Sequence, residues 1–145
     1  MRSVYQRFLV PLDGSALSAS AAKKAVDLAR LLGSEIQFLH VIDSRAVQAL
    51  ELTGVDMMTV EERVMNVANA YLNEATRYAE DSKIRAHGEI RRGLPVEEIL
   101  KSIEEHGIDL VVMASKGLTG TRRVLMGSTT EGVLRLSPVP VLVVR

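Results

Sequence analysis

The sequence predicts one α/β domain, a doubly wound, five-stranded parallel sheet with helices on both faces, and three observations carry that prediction. The length, 145 residues, is that of a single domain spanning 1–145. Short apolar runs alternate with longer segments whose apolar residues recur every three or four positions, a pattern that a parallel sheet with crossover helices satisfies. Aromatic side chains are few, with two Phe, three Tyr and no Trp. The core therefore falls to Ala, Val, Leu and Ile, which suits strands covered on both faces.

The elements follow in order. Phe8-Leu9-Val10-Pro11-Leu12 reads as a buried strand that ends in the turn residues Asp13-Gly14-Ser15. Ser15 or Ser18 is placed to cap a helix whose stripe is Leu17, Ala21, Ala25, Leu28, Ala29 and Leu32, with Gly33 to end it. A second strand, 36–42, runs into Asp43-Ser44. Residues 45–58 have mixed character and read as a loop or partly helical, mobile insert. Thr59-x-x-Glu62 has the spacing of a capping box and opens a long helix carrying Val60, Val64, Val67, Ala68, Tyr71, Leu72, Ala75 and Tyr78.

A weakly alternating edge strand is expected over 84–92. Pro95 suits the first turn of the next helix, which carries Val96, Ile99, Leu100 and Ile103 and is closed by Gly107. His106 is positioned to complement the dipole at that helix end. Residues 109–114 form the most continuous buried strand. After a glycine-containing loop, Gly127-Ser128 opens a helix with Val133, Leu134 and Leu136, stopped by Pro138. Val139-Pro140-Val141-Leu142-Val143-Val144 is the last strand, and Pro140 assigns it to an edge.

Composition narrows the function classes. Net charge is zero, which gives no footing for a nucleic-acid partner. No cysteine is present, so thiolate metal sites, disulfides and cysteine nucleophiles are excluded and a reducing compartment is favoured. No apolar run is long enough to span a membrane, and the N-terminal residues do not read as a signal peptide; a cytoplasmic protein is expected.

In an open parallel sheet, ligands lie beyond the carboxyl ends of the strands where strand order reverses. The loop from Met113 to Thr130 is the longest at that edge and the richest in glycine. Gly117 and Gly120 allow close backbone approach, and Gly127-Ser128-Thr129-Thr130 places free N–H groups and hydroxyls at a helix start, where an anion is favoured. Lys116, Arg122 and Arg123 add local positive charge. This is the composition of a phosphate cradle. The competing reading is that Ser128-Thr129-Thr130-Glu131 is a capping box that satisfies the helix end by itself. No G-x-x-x-x-G-K-[ST] or G-x-G-x-x-G sequence occurs, which excludes a P-loop and disfavours a dinucleotide site.

The strand-turn Val10-Pro11-Leu12-Asp13-Gly14-Ser15, the terminal Pro140-Val141-Leu142-Val143-Val144 and the loop Ala114-x2-Gly117-x9-Gly127-Ser128 resemble the universal stress protein family over the whole chain. The loop matches the family's ATP-binding G-x2-G-x9-G-[ST] pattern except that Ala114 stands at the first Gly. A left-handed backbone there would strain Ala, whereas ordinary strand would accept it. The resemblance implies a Rossmann-like, adenine nucleotide alpha hydrolase-like fold with strand order 3-2-1-4-5. It implies ATP, or ADP or AMP, lying across the carboxyl edge. Pro11, Leu12 and Asp13 would meet the adenosine part, Val41 the base through its main chain, and Met113 and Ala114 the ribose side. Gly117, Gly127, Ser128, Thr129 and Thr130 would hold the phosphates, with Lys116 in electrostatic support. Mg²⁺ could be met by Asp13 through water. A homodimer through Val139 to Val144 is also implied.

Three function classes follow: a nucleotide-binding stress or signalling protein, a slow ATPase or nucleotidyl-transfer enzyme, and a dimeric interaction module with a vestigial pocket. Charge stabilisers are plentiful in the sequence but no positioned base is evident, which favours the binder.

Overall fold

A computed structural model describes residues 4–116 and 126–145. The chain order is β1 (Arg7–Pro11), α1 (Ala16–Leu32), β2 (Glu35–Asp43), α2 (Ser44–Glu51), α3 (Met57–Asp81), β3 (Ala86–Gly93), α4 (Pro95–Glu105), β4 (Leu110–Ala114), α5 (Ser128–Leu136) and β5 (Val141–Val144). The five strands form one all-parallel sheet in the order β3-β2-β1-β4-β5, the topology implied by the family resemblance.

Strand alternation divides the core into two layers. Phe8, Val10, Ile36, Phe38 and Val112 project to one face, against Ala21, Ala25 and Ala29 of α1 and Leu72 and Ala79 of α3. Leu9, Leu39, Val111 and Met113 project to the other, against Ile99 and Ile103 of α4 and Val133 of α5. Each fully buried Phe, Leu or Val of this set contributes about 1.5–3 kcal/mol of transfer free energy. The small Ala side chains of α1 let it lie close on the sheet, where Phe8 and Phe38 are the only large aromatic residues of this layer's buried core among the described residues.

The helix ends mark where sequence reading held and where it failed. Ser15 caps α1, its Oγ accepting from Ser18 N–H at 3.1 Å, and Gly33 closes the helix at φ +71°. The insert after β2 is a true helix, α2, capped by Asp43. The capping box expected at Thr59 is replaced by a cap at Asp56, the residue immediately before the start of α3. Asp56 accepts from Met58 N–H and Thr59 Oγ1–H, so Thr59 lies inside the first turn. The last strand starts at Val141, after Pro140, whose carbonyl still accepts from Val111 N–H.

Edge strand β3 is fastened to α4 by an ion cluster. Arg91 donates to Glu89 at 2.6 Å, Glu98 at 3.1 Å and Glu105 at 2.8 Å. Burial pushes the Glu98 carboxyl up, but its bonds to Arg91 and Lys101 outweigh that and hold it below the usual glutamate range. The His106 ring, expected only to complement the helix dipole, turns to Glu89 with Nε2 2.5 Å from its carboxylate. The cluster fixes α4 so that its first turn, at Pro95 and Ile99, reaches the carboxyl edge of the sheet.

Two glycines calibrate the backbone. Gly33 and Gly14 both have positive φ, but a Cβ on Gly33 would meet open space while one on Gly14 would overlap the Tyr71 ring. Gly33→Ala is expected to cost about 1 kcal/mol, the strain of the left-handed conformation alone. Gly14→Ala is expected to cost about 2–4 kcal/mol, because ring displacement adds to it. Urea unfolding of both variants measures the difference, and equal losses would contradict this packing.

Candidate functional site

The site is a crevice at the carboxyl edge, where chain order reverses between β1 and β4. Its origin is Pro11. In β1 the odd-numbered residues turn their main chain towards β4, as Arg7 does in accepting from Asp109 N–H. Pro11 has no N–H to give, and the β1–β4 register ends at Leu9↔Val111. On its other side, β1 pairs with β2 only as far as Pro11↔Leu39, and β2 continues to Asp43. The strands part, leaving a cleft of about 800 Å³.

Eleven of the residues expected from the sequence line this one cleft: Pro11, Leu12, Asp13, Val41, Met113, Ala114, Lys116, Gly127, Ser128, Thr129 and Thr130. Gly117, together with Gly120, Arg122 and Arg123, lies outside the described residues.

The floor beside β4 is the best-defined part. Gly127 N–H donates to Ser115 O at 2.7 Å, and Thr130 Oγ1 donates to Ala114 O at 2.7 Å. These two bonds latch the start of α5 onto the end of β4 from inside the described part of the loop. The buried hydroxyl of Thr130 is thereby spent on a strand carbonyl, which leaves its N–H as the group that could meet a phosphate. The capping-box alternative fails. Gly127 is the N-cap, no side chain among the described residues caps the helix, and Glu131 pairs with Arg135 instead of reaching back. Among the described residues the first N–H groups of α5 have no side-chain acceptor, and Gly127, Ser128 and Thr129 line the cleft, a place where an anion is stabilised. Half-buried Lys116 lines the same end, with no ion pair among the described residues.

Ala114 carries no strain. It is an ordinary strand residue paired with Val144, and its methyl is buried in the core on the α1 and α3 side. The only non-glycine residue with positive φ among those described is Lys83. The departure from the glycine pattern is therefore accommodated by the backbone.

The opposite end of the cleft is mainly apolar, with Arg63 of α3 also in the lining. Val47 and Leu50 of α2, Val64 and Val67 of α3, and Ile42 stand around the end of β2. The four helical residues were not singled out as ligand-facing from the sequence, because helical spacing shows which residues share a face but not that two helices flank a strand end. The two ends of the cleft are two strand spacings apart, about 10 Å. Between them lies Asp13, one of whose oxygens accepts from Ser15 N–H at 2.9 Å. Asp43 is bound to Arg45 through both oxygens, at 3.0 and 2.7 Å; those bonds hold its carboxyl below the usual aspartate range.

Val41 completes the arrangement. Glu35 and Leu39 turn their main chain to β1 and Ile36 turns to β3, so Val41 also faces β1, past the last rung of that ladder. Its N–H and C=O border the crevice side by side.

The latch can be tested in isolation. Thr130→Val keeps the shape but leaves the Ala114 carbonyl buried without its donor, and is expected to lower stability by about 1–3 kcal/mol in urea unfolding. A neutral substitution would contradict the latch.

Comparison with known proteins finds one family and one fold over nearly the whole chain. A model of the Universal stress protein family matches residues 4–145. The chain is 32% identical over 143 residues to Universal stress protein MJ0531 of Methanocaldococcus jannaschii, covering 99% of this chain and 84% of the relative. It superposes on the structure of MJ0577, from the same organism, with a TM-score of 0.85 and 32% identity over 97% of this chain and 96% of that one. A universal stress protein solved in complex with cAMP has the same fold, with a TM-score of 0.70 and 23% identity over 97% of each chain. With the family model matched from residue 4 to the last residue, the chain belongs to the universal stress protein family.

Proposed function

We propose that the protein is an adenine-nucleotide-binding member of its family, with ATP as its ligand, acting in stress signalling as a binder. The observation that carries this reading is the polarity of one cleft: an apolar end between α2 and α3, and an uncapped helix start with Lys116 at the other. A flat base joined through a sugar to phosphates has the same polarity. Thr129 and Ser128 would act through their N–H groups and hydroxyls, and Gly127 by leaving the helix end open. The cAMP complex of a protein with this fold is consistent with the reading.

Val41 supplies the choice of base. One donor and one acceptor, side by side, complement the N1 acceptor and N6 amino donor of adenine, and oppose the N1–H and O6 of guanine. Mg²⁺ would be met through water by Asp13, since one of its oxygens is already held by Ser15 N–H. Asp43 is engaged by Arg45 and Asp13 by the turn. Neither is poised as a general base, which supports binding over turnover. A cytoplasmic setting fits the cysteine-free sequence.

Mass spectrometry of small molecules released from the denatured protein is expected to find an adenine nucleotide. In calorimetry, GTP should bind about 10–100-fold more weakly than ATP, the discrimination of one paired hydrogen-bond contact. Gly127→Val should remove ATP binding. Equal affinity for ATP and GTP would overturn the assignment of Val41.

We further infer a homodimer through β5. This strand ends the sheet, and Leu142 on it and Leu134 and Leu136 on α5 are all exposed large apolar residues, the condition that invites edge pairing. Sedimentation should show a dimer at micromolar concentration and a monomer for Leu142→Arg; a monomeric wild-type protein would refute this.

A further inference from the structure

The open main chain of Val41 has a specific cause. Leu12 N–H donates to Leu39 O at 2.8 Å, the last bond between β1 and β2. One more step of a parallel ladder would bring Val41 N–H to the Leu12 carbonyl. That carbonyl instead faces the ring of His40, whose Nδ1 lies 2.7 Å away. A carbonyl only accepts, so Nδ1 carries the proton in this contact. The ring is held in place from the other side. Tyr71 of α3 meets it edge-on, with centroids 5.5 Å apart and planes at 62°. Tyr71 itself lies against Gly14, where a Cβ would overlap its ring.

We propose that His40 is a positioning residue for the base end of the cleft. By drawing the Leu12 carbonyl out of the ladder, it stops β1–β2 pairing at Leu39 and leaves Val41 N–H and C=O free to read a nucleobase edge. His40 itself need not touch the ligand. The same contact sets the direction of the chain leaving β1, and so the place of Asp13 and the Gly14 turn. This role rests on the adenine-nucleotide reading above, but its structural half does not depend on any ligand.

The experiment is amide hydrogen exchange at Val41 in the ligand-free full-length chain, combined with binding of ATP and of adenosine. Wild-type Val41 should exchange quickly for a mid-sheet strand residue. His40→Leu removes the donor, so the ladder should extend and slow Val41 exchange at least tenfold. A variant that merely loosened the fold would exchange faster, the opposite sign. His40→Asn places an amide N–H where Nδ1 stands and should behave as wild type. Because the effect lies at the base end, His40→Leu should weaken ATP and adenosine by the same factor, about tenfold for one lost hydrogen bond, with His40→Asn restoring both. Protection of Val41 in the ligand-free wild-type protein, or unchanged exchange in His40→Leu, would overturn the proposal. Failure of the wild-type protein to bind either compound would instead overturn the nucleotide reading, while the exchange result still decides what His40 does to the ladder.

Discussion

The structure turns on the missing hydrogen of one proline. Pro11 sits in the central strand of the sheet, on the side that faces β4, and cannot donate to it. The ladder between the two middle strands therefore ends at Leu9↔Val111, although hydrophobic residues continue on both. In a sheet packed on both faces, such an interruption would be costly anywhere but at the end of a strand. Here it falls at the point where chain order reverses, and a crevice opens between strands that remain rigidly held below it. The binding edge is thus made from the most buried part of the molecule, where Leu9, Val10, Val111 and Val112 are fully inaccessible.

Around that crevice, polar groups are divided between those that hold the structure and those left open. Thr130 and Gly127 spend a hydroxyl and an N–H on the end of β4. Asp43 and Arg45 neutralise each other, and His40 is committed to Leu12. Among the described residues, what stays open is the start of α5, Lys116 and the main chain of Val41. The pattern is one of pre-organisation: the groups that would meet a ligand are fixed by neighbours that do not. Their arrangement carries a polarity from apolar to cationic over about 10 Å.

Most of the fold was legible because its elements are strongly periodic and punctuated by Ser15, Gly33, Pro95 and Gly107. The errors came where several cap residues compete. Thr59 and Glu62 have the spacing of a capping box, yet Asp56 takes the helix start because its short carboxylate reaches two donors at once. Ser128 and Glu131 have that spacing too, yet Glu131 is drawn to Arg135 and Gly127 serves as the cap. The grouping of Asp13, Val41 and the Gly127 to Thr130 segment around one cleft followed from turn residues and strand ends, which act through local backbone. The bond of the Thr130 hydroxyl to Ala114 was not legible, since it spans 16 residues of sequence. His40 and Tyr71 carried no readable signal at all. A histidine in a strand and a tyrosine on a helix stripe reveal their contact only when both elements are folded onto one face of the sheet.

The claim at the centre of this account is that one ligand spans both ends of the crevice. The most direct measurement is an amide chemical-shift titration of the isotopically labelled protein with ATP. The account predicts saturable shifts at Val41 and at Ser128, Thr129 and Thr130 together, with a single dissociation constant, and none in the groove at the opposite edge of the sheet around Arg30 and Lys83. Shifts confined to one end, or absent at millimolar ATP, would contradict it.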